Sequence, residues 1–340
     1  GDDRLVGGAV ADTIDGGAGM DTVDGGAGDD MLRITGSEAA NDVLALGEGG
    51  ETVLGDRITV IGTGSPVLSG FDAAASEVER FEGNGQGLLG TAAADSFDLS
   101  GLTSINGVPF VNGLGGNDRL IGTFGNDDLR GEAGNDTLEG GLGADTLAGG
   151  IGFNFASYTG AAESAVVDLA NSALNAGAAF ADVLVEIQGV IGTAFSDRLF
   201  GTALGDQLIG SDGADWLVGR GGADVLFGDA GDDTFQVTTS DLSTSRFHGG
   251  DGGQTDGDRI LVSMTGNLTM ASFSATTWGI ERWVGNGSGI VSGAGADTID
   301  LSGLSTVSGL LFVNGGSGAD VLIGWSGADD LRGGEGNDTL

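Results

Sequence analysis

The sequence predicts an all-β protein, a parallel β-solenoid built from short stacked strands. Three observations predict it: a nine-residue repeat with glycine and aspartate at fixed positions, one large apolar residue in each repeat, and 71 Gly against 2 Pro in 340 residues. Hydrophobic residues make up 39% of the chain, which is enough to build a core. No stretch predicts a substantial helix.

The repeat has the form G-G-x-G-x-D-x-U-x, where U is a large apolar residue. It is clearest in residues 16–33, which read GGAGMDTVD and GGAGDDMLR, and it returns in residues 131–148, 210–236 and 315–340. Its aspartates recur every nine residues in four tracts, the second of which continues to Asn154. These aspartates are Asp3, Asp12, Asp21, Asp30, Asp118, Asp127, Asp136, Asp145, Asp197, Asp206, Asp215, Asp224, Asp233, Asp320, Asp329 and Asp338.

Each repeat divides into a turn and a strand. Glycines in the first six residues permit backbone conformations that other residues disfavour, and the last three residues alternate so that one apolar side chain points inward. A strand of three residues is not stable alone, so neighbouring repeats must stack. The predicted inward residues are Ile14, Val23, Leu32, Leu129, Leu138, Leu147, Leu208, Leu217, Leu226, Leu322 and Leu331.

This nonapeptide resembles the RTX (repeats-in-toxin) hemolysin-type calcium-binding repeat. The resemblance implies a parallel β-roll in which two nonapeptides make one turn and multiple Ca²⁺ ions lie between loops one turn apart. It therefore implies that the sixteen aspartates of the four tracts are metal ligands, paired eighteen residues apart. These pairs are Asp3 with Asp21, Asp12 with Asp30, Asp118 with Asp136, Asp127 with Asp145, Asp197 with Asp215, Asp206 with Asp224, Asp215 with Asp233, and Asp320 with Asp338.

The charge of the chain agrees with a cationic ligand. The formal net charge is -38, and all twelve basic residues are Arg. Such a charge opposes compaction and excludes nucleic acid and anionic membrane surfaces as partners. Ca²⁺ accepts six to eight oxygen ligands in flexible geometry, whereas Mg²⁺ demands a compact octahedron. The chain has no cysteine, which excludes disulfides and zinc–thiolate sites, and no apolar run of transmembrane length.

Several positions depart from the repeat. Val10 and Leu204 replace the glycine at the fourth position of the repeat, and Asn154 replaces an aspartate. We therefore expect weak or empty sites there. Looser glycine-rich turns at residues 47–55 and 249–257 precede Asp56 and Asp258, where calcium remains an open alternative. The second acids of some repeats are expected to be solvated, namely Asp29, Asp128, Asp232 and Asp330.

The sequence also repeats over a much longer distance than nine residues. Residues 78–81 (VERF) resemble residues 280–283 (IERW), and residues 95–102 resemble residues 297–304, in both cases at an offset of 202. We therefore predict a tandem unit of that length. The first unit covers residues 1–152, with repeat blocks 1–33 and 113–152 flanking a wider β segment, 34–112. A β spacer module with strands near 165–169, 182–187 and 196–200 covers 153–203. A second, truncated unit covers 204–340.

These observations favour a structural function. We expect a calcium-rigidified repeat region of a large secreted or cell-surface protein, such as an adhesin, fibre or surface-layer component. The alternative is the non-catalytic RTX part of a type I-secreted hydrolase or epimerase. His248 is the sole histidine, and carboxylates are already assigned to metal, so catalysis is not expected. By resemblance the source would be a Gram-negative bacterium. Both ends fall inside repeats, so we expect neighbouring copies or end-to-end association of chains.

Overall fold

The computed structural model describes residues 1–35, 43–46, 55–238, 245–250, 254–264, 266–270 and 272–340. The chain divides into two compact units. Unit 1 comprises Gly1–Ser157 and Ala181–Ile187, and unit 2 comprises Tyr158–Phe180 and Gln188–Leu340. Strands hold 42% of the residues and helices 2%, which confirms the predicted all-β class. No helix in these described ranges is long and apolar enough to cross a membrane.

The strands of unit 1 are short, most of them three to five residues. They are β1 Arg4–Gly8, β2 Thr13–Asp15, β3 Thr22–Gly26, β4 Met31–Ile34, β5 Val43–Ala45, β6 Arg57–Val60, β7 Phe71–Asp72, β8 Arg80–Glu82, β9 Leu88–Leu89, β10 Ser96–Asp98, β11 Ser104–Asn106, β12 Val111–Asn112, β13 Arg119–Ile121, β14 Asp128–Ala133, β15 Thr137–Glu139, β16 Thr146–Ile151, β17 Phe155–Ser157 and β20 Val183–Val185.

All strand pairs described in unit 1 are parallel. The sheets run in the orders β1-β3-β5, β2-β4-β6-β8-β11 and β9-β12-β14-β16-β20, and β7, β10, β13, β15 and β17 pair successively in a fourth row. Consecutive nonapeptides alternate between rows, because β13 and β15 pair with each other while β14 pairs with β16. Leu120 is in register with Leu138 and Leu129 with Leu147, a step of eighteen residues. Two repeats therefore make one turn.

Unit 2 has a similar set of elements. Its strands are β18 Ala165–Asp168, β19 Ala176–Gly177, β21 Gly189–Ile191, β22 Arg198–Phe200, β23 Gln207–Ile209, β24 Trp216–Val218, β25 Val225–Phe227, β26 Thr234–Val237, β27 Arg246–His248, β28 Arg259–Val262, β29 Leu268–Thr269, β30 Ser272–Ser274, β31 Arg282–Val291, β32 Thr298–Asp300, β33 Thr306–Asn314, β34 Val321–Ile323 and β35 Leu331–Arg332. A 3₁₀ turn, Ser172–Leu174, and helix α1, Ala275–Trp278, complete it.

The largest sheet of unit 2 runs β19-β18-β22-β24-β26-β28-β31-β33-β35, with β29 beside β31. A second row pairs β21, β23, β25 and β27, and a third pairs β30, β32 and β34. Among the described pairs only β18 and β19 are antiparallel. The strands β18, β20 and β22 lie at the three strand positions predicted within residues 153–203.

One apolar side chain per repeat fills the interior. Ten of the eleven predicted inward residues are at most 7% exposed. The exception is Leu331, which is only half-buried and lies on β35, the last strand of its sheet. Where turns are wider, aromatic residues take over the core: Phe71 packs edge-on against Phe81, and Phe273 against Trp283, with ring centroids 6.1 and 5.8 Å apart.

Candidate metal sites

The predicted aspartates lie at the ends of the turns, each immediately before a strand. Asp118 precedes β13, for example, and Asp215 precedes β24. Most of their side chains are removed from solvent. Those at most 3% exposed are Asp21, Asp30, Asp118, Asp136, Asp145, Asp197, Asp206, Asp215, Asp224, Asp233 and Asp320. Asp12, Asp127 and Asp338 are half-buried, and Asp3 and Asp329 are exposed.

Aspartates eighteen residues apart are joined by a hydrogen bond. The backbone N–H of each donates to Oδ1 of its partner one turn later, at 2.7–3.1 Å, in all eight pairs that the sequence predicts. Asp197, Asp215 and Asp233 are linked successively in this way. We call each such succession an aspartate file. The files place one carboxylate per turn in register along the solenoid.

The files extend beyond the nonapeptides. In unit 1, Asp30 N–H donates to Asp56 at 2.6 Å, and Asp56 N–H donates to Glu79 at 2.6 Å. Asp258 and Glu281 extend the file of Asp233 in unit 2 in the same way, at 2.7 and 2.8 Å. Most residues of the looser turns before Asp56 and Asp258 lie outside the described residues. Sequence reasoning missed other members, namely Asp95, Asp182 and Asp297. For Asp95 a signal existed, because Gly90 stands five residues before it, as in the repeats.

The second carboxylate oxygen distinguishes many of these aspartates. Oδ2 is buried and has no hydrogen-bond donor among the described residues in Asp30, Asp118, Asp136, Asp145, Asp215, Asp233 and Asp320. A buried carboxylate oxygen without a partner is strongly unfavourable. Each of these side chains therefore requires a positively charged or hydrogen-bond-donating group, and the described residues do not supply it.

Glycines make room beside these oxygens. A Cβ on Gly131 would meet Asp136 Oδ2 and would lie 2.7 Å from the carbonyl oxygen of Gly149, one turn later. A Cβ on Gly210 would likewise meet Asp215 Oδ2 and lie 2.8 Å from the Gly228 carbonyl. The space next to each glycine Cα is thus bordered by a carboxylate oxygen and a carbonyl oxygen from successive turns.

This donor set fits Ca²⁺, which prefers carboxylates together with backbone carbonyls, and it lacks the nitrogen and sulfur donors that zinc and copper favour. Within the described ranges no three His, Cys, Asp or Glu side chains come close enough to hold a metal. That result follows from the files, which give each turn one carboxylate and leave the remaining ligands to carbonyl oxygens. A bound Ca²⁺ would supply the positive charge that the buried Oδ2 atoms lack.

Burial raises the pKa of several carboxyl groups in the aspartate files. Desolvation raises the pKa of Asp215 to about 8, and that of Asp145 to about 7, with a further increase from neighbouring file carboxylates. Desolvation also raises the pKa of Asp118 and of Asp233 to about 6, and that of Asp258 to about 7. File carboxylates add to the increase at Asp118 and Asp258, whereas Asp229 and Asp232 add to it at Asp233. Without a cation, these groups hold protons at pH values where an exposed aspartate is ionised.

A second kind of turn surrounds some of the predicted ligands. Oδ2 of Asp12, Asp127, Asp197 and Asp206 accepts the backbone N–H of the residue four positions earlier, at 2.5–2.7 Å. Asp329 receives a longer bond, 3.4 Å, on Oδ1 from the N–H of Trp325. These aspartates belong to the files, but a backbone N–H of the protein hydrogen-bonds their carboxylate. In the aspartates described above, Oδ2 has no such donor.

The second acids have partners of their own. Asp128 forms a two-bond ion pair with Arg130, at 2.6 and 2.8 Å, and Asp330 forms one with Arg332, at 2.6 and 2.9 Å. Asp232 accepts backbone N–H groups of residues 255–257, which lowers its pKa. Asp29 is half-buried. The expectation of simple solvation is thus incomplete for three of the four.

The other residues considered from sequence occupy structural positions. His248 stacks on Phe227, with ring centroids 4.7 Å apart. Phe81 and Trp283 are at most 1% exposed and belong to the core. Asn154 continues a file by accepting the N–H of Asp136 at 2.9 Å, and its own amide donates to the carbonyls of Gly150 and Glu186.

Parallel short strands, two repeats per turn and rows of carboxylates beside glycine carbonyls define a β-roll of the metal-binding class. A family model described as the RTX calcium-binding nonapeptide repeat (4 copies) matches residues 1–32, 112–147, 121–156, 200–235 and 312–340. These matched residues carry copies of this calcium-binding repeat. No curated protein matches the chain significantly.

Proposed function

We propose that the chain is a calcium-folded structural repeat region of a large secreted or cell-surface protein, of the adhesin, fibre or surface-layer type. The observation that carries the proposal is the set of seven buried Oδ2 atoms that have no donor among the described residues. A structural cation answers this requirement at each turn, and no catalytic chemistry is needed to account for the carboxylates.

Ten of the sixteen predicted aspartates are the ligands that we propose. They share a buried or half-buried carboxylate in a turn whose second and fourth residues have a left-handed φ. Carbonyl oxygens of the glycine that begins each turn would complete the coordination. The proposed ligands are Asp21, Asp30, Asp118, Asp136, Asp145, Asp215, Asp224, Asp233, Asp320 and Asp338.

A tandem unit of about 202 residues supports a role as part of a longer array. Arg130 lies 4.6 Å from the centroid of the Phe110 ring while paired with Asp128, and Arg332 lies 4.4 Å from Phe312 while paired with Asp330. Each residue of the second group stands 202 positions after its counterpart (332 − 130, 312 − 110, 330 − 128). Repetition of whole units is a common route to extended structural proteins.

The proposal predicts that folding requires calcium. In a chelator the charge of -38 and the uncompensated carboxylates should leave the chain largely unfolded, because nothing else offsets their cost. Millimolar Ca²⁺ should produce a β-type circular dichroism spectrum and a cooperative thermal transition. Mg²⁺ at the same concentration is the control for charge screening, and it should not substitute.

Two results would contradict this function. One is an identical folded spectrum in excess chelator and in calcium. The other is full folding by Mg²⁺ alone, which would show that screening, and not coordination by the turns, compensates the carboxylates.

A further inference from the structure

Among the described six-residue turns that end in aspartate, two backbone conformations occur. In ten of these turns the second residue has a left-handed φ, and so does the fourth, which is always Gly, with φ from 92° to 147°. Glu132 and Gly134 before Asp136 are an example, with φ of 72° and 143°. We call these open turns; their aspartates are the ten proposed ligands.

The other turns in the described part of the chain have a left-handed φ at neither position, and we call them closed turns. Four of them have threonine as the second residue, in the sequences GTAAAD, GTFGND, GTAFSD and GTALGD at residues 90–95, 122–127, 192–197 and 201–206. The N–H of the second residue points at the aspartate and donates to Oδ2. No such bond to Oδ2 is present in the seven open turns whose Oδ2 is buried without a donor.

The threonine hydroxyl makes a further contact with the same carboxylate. Thr202 Oγ1 lies 2.8 Å from Asp206 Oδ2, and Thr123 Oγ1 lies 3.0 Å from Asp127 Oδ2. In the other two turns, Thr193 Oγ1 lies 3.0 Å from Asp197 Oδ1, and Thr91 Oγ1 contacts both oxygens of Asp95. None of these four Oδ2 atoms is among the buried oxygens without a donor.

Threonine turns lie at the first position of their files. Asp95 and Asp127 begin the two files that continue through Asp118 and Asp145 in unit 1. Asp197 and Asp206 begin the two that continue through Asp215 and Asp224 in unit 2. Each of these blocks therefore starts with a pair of closed turns, one for each file.

We infer that Thr91, Thr123, Thr193 and Thr202 determine where calcium is not bound, by closing the first turn of each file with protein donors. This inference rests on the proposed calcium function of the open turns. The carboxylate of a closed turn has protein donors and needs no metal. The first open turn of the file can therefore stack on a turn that is already stable. In these four turns the second residue supplies the donors that the carboxylate of an open turn lacks.

Residues 122–127 permit a direct test, because Thr123→Gly converts GTFGND to GGFGND, the open-turn sequence with glycine already at the fourth position. The variant should bind one more Ca²⁺ per chain than the wild type in equilibrium dialysis or native mass spectrometry. The matched control is Thr202→Gly. Its fourth residue is Leu204, which disfavours a left-handed φ, so the calcium count should not rise.

Aspartate variants provide a second measurement that does not depend on forming a new site. Asp127→Asn, in a closed turn, should leave the calcium count unchanged, because a carboxamide oxygen can still accept the donors of Thr123. Asp136→Asn, in an open turn, should lower the count by at least one.

The calcium counts of the wild type and the variants distinguish failure of this inference from failure of the proposed calcium-binding function. No calcium bound by the wild-type chain would remove the proposed function itself. Calcium binding by the wild type, with equal losses in Asp127→Asn and Asp136→Asn, would overturn the inference and leave the function standing. An unchanged count in Thr123→Gly, in a chain that still folds, would also overturn it.

Discussion

At the scale of the residue, the unusual group is a buried carboxylate whose two oxygens have different tasks. Oδ1 of Asp136 accepts the N–H of Asp118 and fixes the register between turns, whereas Oδ2 has no donor in the described protein. One side chain thus connects the backbone of one turn to a space bordered by oxygens. The same aspartate therefore both fixes the register of successive turns and requires a cation.

The raised pKa values of the file carboxyls predict opposite pH dependences with and without calcium. The pKa of Asp215 rises to about 8 from its ordinary value of 3.8, so the folded metal-free state holds protons that the unfolded chain has lost. Its stability should be greatest below pH 4 with respect to these groups and should fall as pH rises through about 6 to 8. Calcium competes with those protons, so calcium affinity should rise across the same window.

The folded fraction of the metal-free chain, measured by circular dichroism in chelator at pH 4, 5, 7 and 9, and calcium titrations at the same pH values together measure both trends. Calorimetric titration in buffers of different ionisation enthalpy should detect proton release on calcium binding at pH 7 and little at pH 9. Calcium affinity that is independent of pH between 5 and 9 would contradict protonation of the file carboxyls.

A glycine beside the carboxylate gives a second residue-scale prediction. Gly131→Ala places a methyl group against Asp136 Oδ2 and 2.7 Å from the Gly149 carbonyl, in the space assigned to the ion. The calcium midpoint of folding should rise by about tenfold, equivalent to about 1.4 kcal/mol. Gly295→Ala is the control, because no atom lies within 4 Å of the added Cβ. Equal midpoints for the two variants would contradict the assignment.

At the scale of the element, strands of two to six residues are held by the turns beneath and above them. Phe97 in β10 is fully buried, between Phe71 of β7 and Leu120 of β13 in the register of the row. In calcium, Phe97→Ala should lower the free energy of unfolding by roughly 3–5 kcal/mol, through lost burial and a cavity. Urea unfolding measures this change.

The control for that experiment is Phe124→Ala, since Phe124 is 68% exposed. Its effect should stay within about 0.5 kcal/mol, as expected for a surface substitution. If both variants had the same effect, the row of strands would not be the source of stability.

The same elements show what can be read from sequence. The nine-residue spacing of Asp118, Asp127 and Asp136 predicts short stacked strands, whereas the alternation of sides and the eighteen-residue pairs follow from the resemblance to the RTX repeat. Asp182 escapes such reasoning, since 37 residues separate it from Asp145, to which it is hydrogen-bonded. The closed turns escape it too, because GTFGND keeps the glycines and the aspartate of the repeat at three positions and differs from an open turn in backbone φ angles that the spacing does not reveal.

At the scale of the whole molecule, electrostatics favour metal uptake in large number. If each of the ten open-turn aspartates acquires one Ca²⁺, the ions add +20 and the net charge falls from -38 to -18. The twelve arginines could not supply this compensation inside the turns. Several are already engaged at the surface of sheets, as in the pairs of Arg130 and Arg332 with neighbouring aspartates.

The alternation of repeats between two sides imposes a rule of parity on the length of the chain. Loss of a single nonapeptide would transfer every later carboxylate to the opposite file, whereas loss of eighteen residues would return each to its own. The 37-residue step from Asp145 to Asp182 shows that a long excursion is accommodated when the chain rejoins the file it left. Arrays of this kind should therefore lengthen and shorten by even numbers of repeats, and odd changes should require a compensating excursion.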